Sequence, residues 1–311
     1  MIIQGGVVAA LVIAGVWNLQ PRGGPAASLP GDVPKGDKAV ALKASGGPTR
    51  YRHCTGSGKL IVLIPGISYP MEIYNDLFAC LAAAGKSVLL YDITGRGYSH
   101  SSGEPMSTDL FVRQLEELLT ALGLLKDGTQ LDIVAWSMGT VIATNFANRH
   151  PKCCDKLVLL APIGALPAQK PPTAALLHVP CGVGNALAAL VMTSTLIKGY
   201  RGELGDGHDI TAFVCEHAVE NPSMVRTITS TLRHCTEIDN NRLALKTTGE
   251  SASKILVMWG DHDGSVNQQN INGIMALLGP AATLTVFPGE SHAFFVKDPA
   301  KPNAQIQEFL A

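Results

Sequence analysis

Charge is scarce in this 311-residue chain: 16% of residues are Asp, Glu, Lys or Arg, and the formal net charge is -1. A nucleic-acid partner calls for a basic face, and none is present, so that class of partner is set aside. Cysteine offers no framework either. There are seven, an odd number, with no CxxC pair of pairs, and Cys153 beside Cys154 is poor geometry for a simple bridge. They read as mostly buried thiols, with no metal site and no cofactor expected. No Asn-x-Ser/Thr sequon occurs, because Asn221-Pro222-Ser223 is excluded by its proline, which disfavours passage through a glycosylating compartment. The positive n-region of a signal peptide is missing as well.

An apolar leader is nevertheless there. Met1 to Trp17 has Gln4 as its one clearly polar side chain, near the lower limit for a membrane span of roughly 20 residues. The reading is a signal anchor or uncleaved signal, with a peripheral extension as the rival. The expected location is membrane-associated or secretory, otherwise cytoplasmic. Residues 18–36 are rich in Pro and Gly and read as a linker. Hydrophobic content of 46% supports a substantial core in the remainder of the chain.

From residue 37 onward, short apolar runs alternate with amphipathic stretches. Lys38–Lys43, Thr49–His53, Lys59–Ile64 and Ser87–Tyr91 read as strands, followed by Lys156–Leu160, Lys254–Met258 and Thr283–Phe287. Ile73, Leu77, Phe78 and Leu81 mark a helix stopped by Gly85; another starts at Ser107 or Thr108 and ends at Gly123. The alternation implies a mostly parallel sheet with helices on both faces. Between Leu160 and Lys254 no strand pattern appears, but Asn185–Ile197 is helical and Asn221-Pro222 opens a second helix. Residues 163–250 therefore read as a helical cap, inserted in a core of residues 37–162 and 251–311. Leu187, Leu190 and Val191 are expected to pack inside that cap.

The stretch 131–150, LDIVAWSMGTVIATNFANRH, carries the chemistry. A buried strand ends at Ser137 and a helix begins at once, with Met138, Val141, Ile142 and Phe146 on one face. Small Ala135 and Gly139 flank the turn, which lifts the serine hydroxyl clear of the sheet and aims helix N–H groups at whatever it attacks. A serine hydroxyl needs a neighbouring base, and the base an orienting group. His292 follows the last strand within a Gly-containing loop, and Asp261 and Asp263 follow the strand before it. Ligands of such sheets bind beyond the carboxyl ends of the strands, where all these candidates lie.

The turn at Ser137 resembles the nucleophile elbow of the α/β-hydrolase superfamily, with Ala135 where glycine is usual. The resemblance implies an α/β-hydrolase fold and the chain order nucleophile, acid, histidine, which Ser137, Asp263 and His292 keep. A turn similar to the family's Gly-x-x-Asp selects Asp263, with Asp261 as fallback. It also implies two backbone oxyanion donors: Met138, after the nucleophile, and Ile67 in Pro65-Gly66-Ile67, where the family usually has His-Gly-x. There is no HGGG run, which sets aside the hormone-sensitive-lipase branch, and a serine nucleophile sets aside the dehalogenase and epoxide hydrolase branches. The chain looks similar to capped serine hydrolases of the monoacylglycerol-lipase and lysophospholipase-like kind. The activity this implies is cleavage of a carboxylic ester, with a lipid-like monoester as one candidate, by a cofactor-independent serine esterase. Acyl transfer, carbon–carbon cleavage, perhydrolysis and an inactive ligand-binding relative remain as rivals. Trp136 beside the serine is a candidate substrate-lining residue or a core residue. The Asp92-x-x-Gly-x-Gly-x-Ser99 turn reads as structural, since no P-loop lysine follows it, and His262 reads as a solvated turn residue.

Expression of residues 37–311 alone tests the leader: a soluble, active product means that it only anchors or targets, and an insoluble or inactive one that it belongs to the fold.

Overall fold

The computed structural model describes residues 36–166, 183–235, 238–252 and 254–311, with side chains left undescribed at 183–190, 222, 223 and 238. The expected leader and, apart from Gly36, the expected linker therefore lie outside the described residues, and no helix within those described is long and apolar enough to cross a membrane.

Eight strands form one sheet: β1 (Lys38–Leu42), β2 (Gly47–Cys54), β3 (Ser57–Ile64), β4 (Lys86–Tyr91), β5 (Leu131–Trp136), β6 (Cys154–Leu160), β7 (Lys254–Gly260) and β8 (Ala282–Phe287). Their spatial order is β1-β2-β4-β3-β5-β6-β7-β8. The hairpin β1–β2 is antiparallel and meets β4 antiparallel; from β4 to β8 every pairing is parallel. Every strand expected from the sequence is present, within a residue or two of its expected limits.

The central strands are apolar at nearly every position because both faces are covered. Val62, Ile64, Ile133, Ala135, Leu157 and Leu159 point to one face, where α2 (Thr108–Ala121) and α3 (Met138–Arg149) pack. Ile61, Leu63, Val134, Trp136, Val158 and Leu160 point to the other, against α1 (Asn75–Ala83), the short α9 (Phe294–Lys297) and α10 (Ala300–Leu310). This is the period-two alternation of a strand, with each enclosed Leu or Ile contributing about 1.5–3 kcal/mol. Helix limits follow local chemistry. The Ser107 hydroxyl accepts from the Leu110 N–H at the start of α2, and Gly85 and Gly123 take positive φ just after α1 and α2.

Among the described residues, four helices lie between β6 and β7: α4 (Val183–Leu204), α5 (Asp209–Glu220), α6 (Pro222–His234) and α7 (Ile238–Ser251). Asn221 caps α6, accepting from Met224 N–H, with Pro222 at the first turn. The expected cap boundary at residue 250 is not where the packing changes. Helix α7 lies on α3, where the Thr248 hydroxyl donates to the Thr144 carbonyl at 3.3 Å and Asn145 donates to Asn241 at 3.3 Å. It also approaches α8 (Gln268–Leu278) so closely that a Cβ at Gly249 would stand 2.2 Å from the Leu278 carbonyl oxygen. Helix α7 thus covers the sheet, leaving α4–α6 as the inserted layer. Of the residues expected to fill the cap interior, Val191 is 41% exposed and its neighbour Met192 is buried instead. Leu187 and Leu190 lie outside the described side chains.

Of the six described cysteines, Cys153 and Cys154 are buried, but Cys54, Cys80, Cys215 and Cys235 are only half-buried, against the expectation of mostly buried thiols. Cys54 and Cys235 stand at the ends of β2 and α6, while Cys80 and Cys215 lie on helices that turn one face to solvent.

Gly249→Ala should destabilise the protein by about 1–3 kcal/mol, because the atoms it meets are backbone and cannot rotate away. A chemical-denaturation midpoint unchanged by this substitution would show that α7 does not pack as a core helix.

Candidate active site

Strand β5 delivers Ser137 in a backbone conformation seldom taken by a side-chain-bearing residue, φ 53° and ψ -120°. Such a conformation costs about 1–3 kcal/mol and persists only where neighbours enforce it. The enforcement is visible. The Ser137 N–H donates to the Leu160 carbonyl at 2.9 Å, and its own carbonyl accepts from the Thr140 hydroxyl at 2.6 Å. A Cβ at Gly139 would lie 2.5 Å from the carbonyl oxygens of both Ile64 and Pro65, so only glycine lets α3 start this close to the end of β3.

The structure brings Ser137, His292 and Asp263 into one hydrogen-bonded chain. Ser137 Oγ stands 2.9 Å from His292 Nε2, and His292 Nδ1 stands 2.7 Å from Asp263 Oδ2. An ionised carboxylate can only accept, so Nδ1 carries the proton and Nε2 is left to accept from the serine hydroxyl. The other carboxylate oxygen, Oδ1, accepts from the backbone N–H groups of Ser265 and Val266 at 2.7 and 2.8 Å. The Asp263 side chain is fully enclosed and the His292 side chain nearly so. Burial pulls the imidazole pKa down, but the hydrogen bond and charge of Asp263, with the Glu203 carboxylate adding, outweigh it and hold it above the ordinary 6.5.

Asp261, the fallback acid, is used elsewhere: its Oδ1 accepts from the Gly289 N–H at 2.6 Å. The His262 N–H donates to the Glu290 carbonyl at 3.0 Å, and a Cβ at Gly260 would come within 2.3 Å of that same oxygen. These contacts zip the loop after β7 to the loop after β8 and set the distance between Asp263 and His292. The His262 side chain is exposed, as expected of a turn residue.

Trp136 is not an open pocket wall. It is 1% exposed, and its indole N–H donates to the His292 carbonyl at 3.1 Å. Its ring packs against Tyr69, His292 and Phe295 and leaves no room for a side chain at Gly66, where a Cβ would be 2.9 Å from the indole. Sequence periodicity marks Trp136 only as an apolar strand-end residue; its hold on the His292 backbone needed the fold. Gly66 brings the Pro65–Ile67 loop against the serine: the same Cβ would be 3.4 Å from that of Ser137. Among the described residues the N–H groups of Ile67 and Met138 donate to no acceptor, a rare condition for enclosed backbone donors. Met138 N–H also opens α3, where the helix dipole favours negative charge.

Three residues near this centre, Tyr69, Arg96 and Glu203, carry no signal in the sequence. The Tyr69 hydroxyl donates to Glu203 Oε2 of α4 at 2.9 Å, and the Arg96 guanidinium donates to the Ile67 carbonyl at 2.8 Å. No spacing rule could have found them, since each partner comes from a distant part of the chain. The Asp92–Ser99 turn is structural, as expected. Asp92 accepts from the N–H groups of Met71 and Tyr98 and from Arg50, and a Cβ at Gly97 would overlap its carboxylate. Among the described residues no group of three or more His, Cys, Asp or Glu side chains could hold a metal ion.

Comparison with known proteins agrees with this architecture. An uncharacterised protein of Mycobacterium tuberculosis is 24% identical over 279 residues, spanning 85% of this chain and 79% of its own length. A putative non-heme chloroperoxidase of Synechocystis is 31% identical over 114 residues, 36% of this chain and 40% of its own. Among solved structures, a hydrolase from Pseudomonas aeruginosa superposes with a TM-score of 0.69 at 18% identity, covering 90% of this chain and 100% of that one. The esterase RhEst1 from Rhodococcus gives 0.68 at 17%, with 88% and 98% covered. A bromoperoxidase from Bacillus anthracis gives 0.68 at 20%, with 88% and 99% covered. At these identities the structures speak for the fold, which is that of the α/β-hydrolases. Residues 57–299 match the family described as "Serine aminopeptidase, S33", and with more than half its length in that match, this chain belongs to that family of α/β-hydrolases.

Proposed function

We propose that the protein is a serine hydrolase that cleaves a carboxylic ester through an acyl-enzyme. The continuous chain from Ser137 Oγ to His292 to Asp263 carries this reading. Ser137 Oγ attacks the ester carbonyl while His292 Nε2 takes its proton. Asp263 holds the imidazole in the required tautomer and stabilises the imidazolium that forms. The tetrahedral oxyanion lies between the unengaged N–H groups of Ile67 and Met138, where fixed donors are worth more than water. His292 returns the proton to the leaving alcohol; water then repeats the sequence on the acyl-enzyme. The substrate class proposed with this reading is an apolar, lipid-like monoester. A membrane-associated or secretory location, conferred by residues 1–17, accompanies this reading.

The halogenating relatives favour one second reading, in which hydrogen peroxide replaces water as acyl acceptor on the same serine. A fluorophosphonate probe should label the wild-type protein and leave Ser137→Ala unlabelled, and p-nitrophenyl esters should be hydrolysed faster than aminoacyl p-nitroanilides. Labelling that survives Ser137→Ala, or turnover of the anilides alone, would count against an ester hydrolase acting through Ser137. Peroxide-dependent bromination in acetate, at rates above ester hydrolysis, would select the second reading.

Because the neutral imidazole is the base and its pKa is raised, kcat/KM should climb with pH through a value above 6.5 and be lost below it. In Asp263→Asn the larger raising influence is gone, leaving burial opposed only by the Glu203 carboxylate. The acid limb should then move to lower pH while the plateau drops by about 10³–10⁴-fold. His292→Ala should cost at least as much; an acid limb unmoved by Asp263→Asn would contradict the assigned pairing.

A further inference from the structure

The loop that carries Ile67 is not held by its own strand alone. Two consecutive residues of it, Ser68 and Tyr69, bond directly to α4, and Ile67 is linked to α6 through Arg96. The Ile67 carbonyl accepts from Arg96 Nε at 2.8 Å, and the same guanidinium donates through Nη2 to the Thr231 hydroxyl of α6 at 2.5 Å. The Ser68 carbonyl accepts from the Tyr200 hydroxyl of α4 at 2.9 Å. The Tyr69 hydroxyl donates to Glu203, one turn further along α4, and the Tyr69 ring packs edge-on against both Tyr200 and Trp136. Around this seam, the Thr227 hydroxyl of α6 donates to the Gly95 carbonyl, beside Arg96.

We propose that α4 and α6 are working parts of the oxyanion hole. Arg96 and Tyr200 act as positioning residues that orient the Ile67–Ser68 backbone, so the Ile67 N–H faces the oxyanion only while these helices are docked. The proposal rests on the reading of Ile67 as an oxyanion donor in an ester hydrolase. Three features of the molecule support it. First, the sequence has Pro65-Gly66 where the resemblance leads one to expect a histidine that would support the loop from within, and that support must come from elsewhere. Second, Arg96 is wholly buried, and among the described residues its guanidinium donates to three neutral acceptors, the carbonyls of Ile67 and Thr94 and the Thr231 hydroxyl, while lying over the Phe111 ring at 5.6 Å from its centroid. A buried cation is costly unless it is paired. An arginine placed there with an aromatic face but no carboxylate points to a use for its forked geometry, which spans the loop, its own turn and α6 at once. Third, Tyr200 is buried with its one hydroxyl committed to a main-chain oxygen, a contact that fixes backbone direction rather than filling space. Substrate that seats the inserted helices would then complete the hole, and substrate too small to engage them would leave it loose.

Tyr200→Phe removes a single oxygen, and Arg96→Lys keeps the charge but cannot span three acceptors; Arg96→Met removes both. With Ser137-dependent ester hydrolysis first established in the wild type, each variant is assayed for kcat and KM. An alkyl trifluoromethyl ketone, whose hemiketal adduct carries an oxyanion, is assayed beside them for its inhibition constant. The expected result for Tyr200→Phe is a fall in kcat of about fivefold or more with KM within about twofold. Arg96→Met should lose more, with partial recovery in Arg96→Lys. The ketone's inhibition constant should rise in step with the loss of kcat/KM across the set, as for a mimic of the stabilised oxyanion. Val219→Ser on the exposed side of α5 should match wild type throughout. Variants that keep kcat and ketone affinity within about twofold of wild type would overturn the proposal while leaving the ester-hydrolase reading intact. Losses confined to thermal stability, or to KM, would overturn it as well. A wild type without Ser137-dependent turnover would overturn both.

Discussion

One hydrogen bond, 2.9 Å between Ser137 Oγ and His292 Nε2, is what the rest of this structure makes possible. Its two residues stand 155 positions apart in the chain and share no element. They meet because parallel strands all end at the same rim of the sheet. Trp136 pairs with Leu160, Leu160 with Met258, and Gly260 with Phe287, so the loops after β5, β7 and β8 begin at nearly the same height. What remains is fine adjustment, and it falls to close backbone approaches at Gly139 and Gly260, where a side chain would collide with carbonyl oxygens. The strained φ of Ser137 is held by the same packing.

The second constraint is the management of buried charge around that rim. Arg50 is enclosed by Asp37, Glu72 and Asp92, and its cation is stabilised by them against the pull of burial. Burial and the nearby Glu72 push the Asp92 carboxyl up to about 6 even with Arg50 beside it. This cluster pins β2 to the glycine-rich turn that ends at Ser99. The turn in turn carries Arg96, whose pKa burial lowers to about 10, so it stays charged at neutral pH. Two arginines thus occupy one corner with opposite arrangements, one saturated with carboxylates and one donating to neutral oxygens beneath the Phe111 ring. The first is explained by stability of the turn; the second is the oddity that ties the turn to the loop beside the serine.

The inserted helices share a core with one face of the sheet rather than forming a separate body. Tyr200, Leu204, Val214 and Ile228 belong to the same apolar cluster as Trp136, Leu160 and Phe295. Any displacement of α4 or α6 therefore disturbs side chains that touch His292. A continuous run of ring contacts joins α4 to His292, from Tyr200 to Tyr69 to Trp136 to the imidazole.

Much of this was legible along the chain, because it depends on neighbours. The alternation of strands and helices, the serine at a strand-to-helix turn, the asparagine and serine caps and the stopping glycines are local, and periodicity and turn chemistry report them faithfully. The order of Ser137, Asp263 and His292 could be read as well, since each follows a recognisable strand. Pairings between distant segments could not. That Asp261 would serve the loop and Asp263 the histidine, that Trp136 would brace the His292 backbone, and that α7 would cover the sheet were decided by folding. So was the seam joining Arg96, Tyr200 and Glu203 to the loop at 67–69. The reason is physical: a helix or strand is specified by residues within a turn or two of one another. A hydrogen bond across the molecule is specified only once sheet register and helix packing have placed both of its ends.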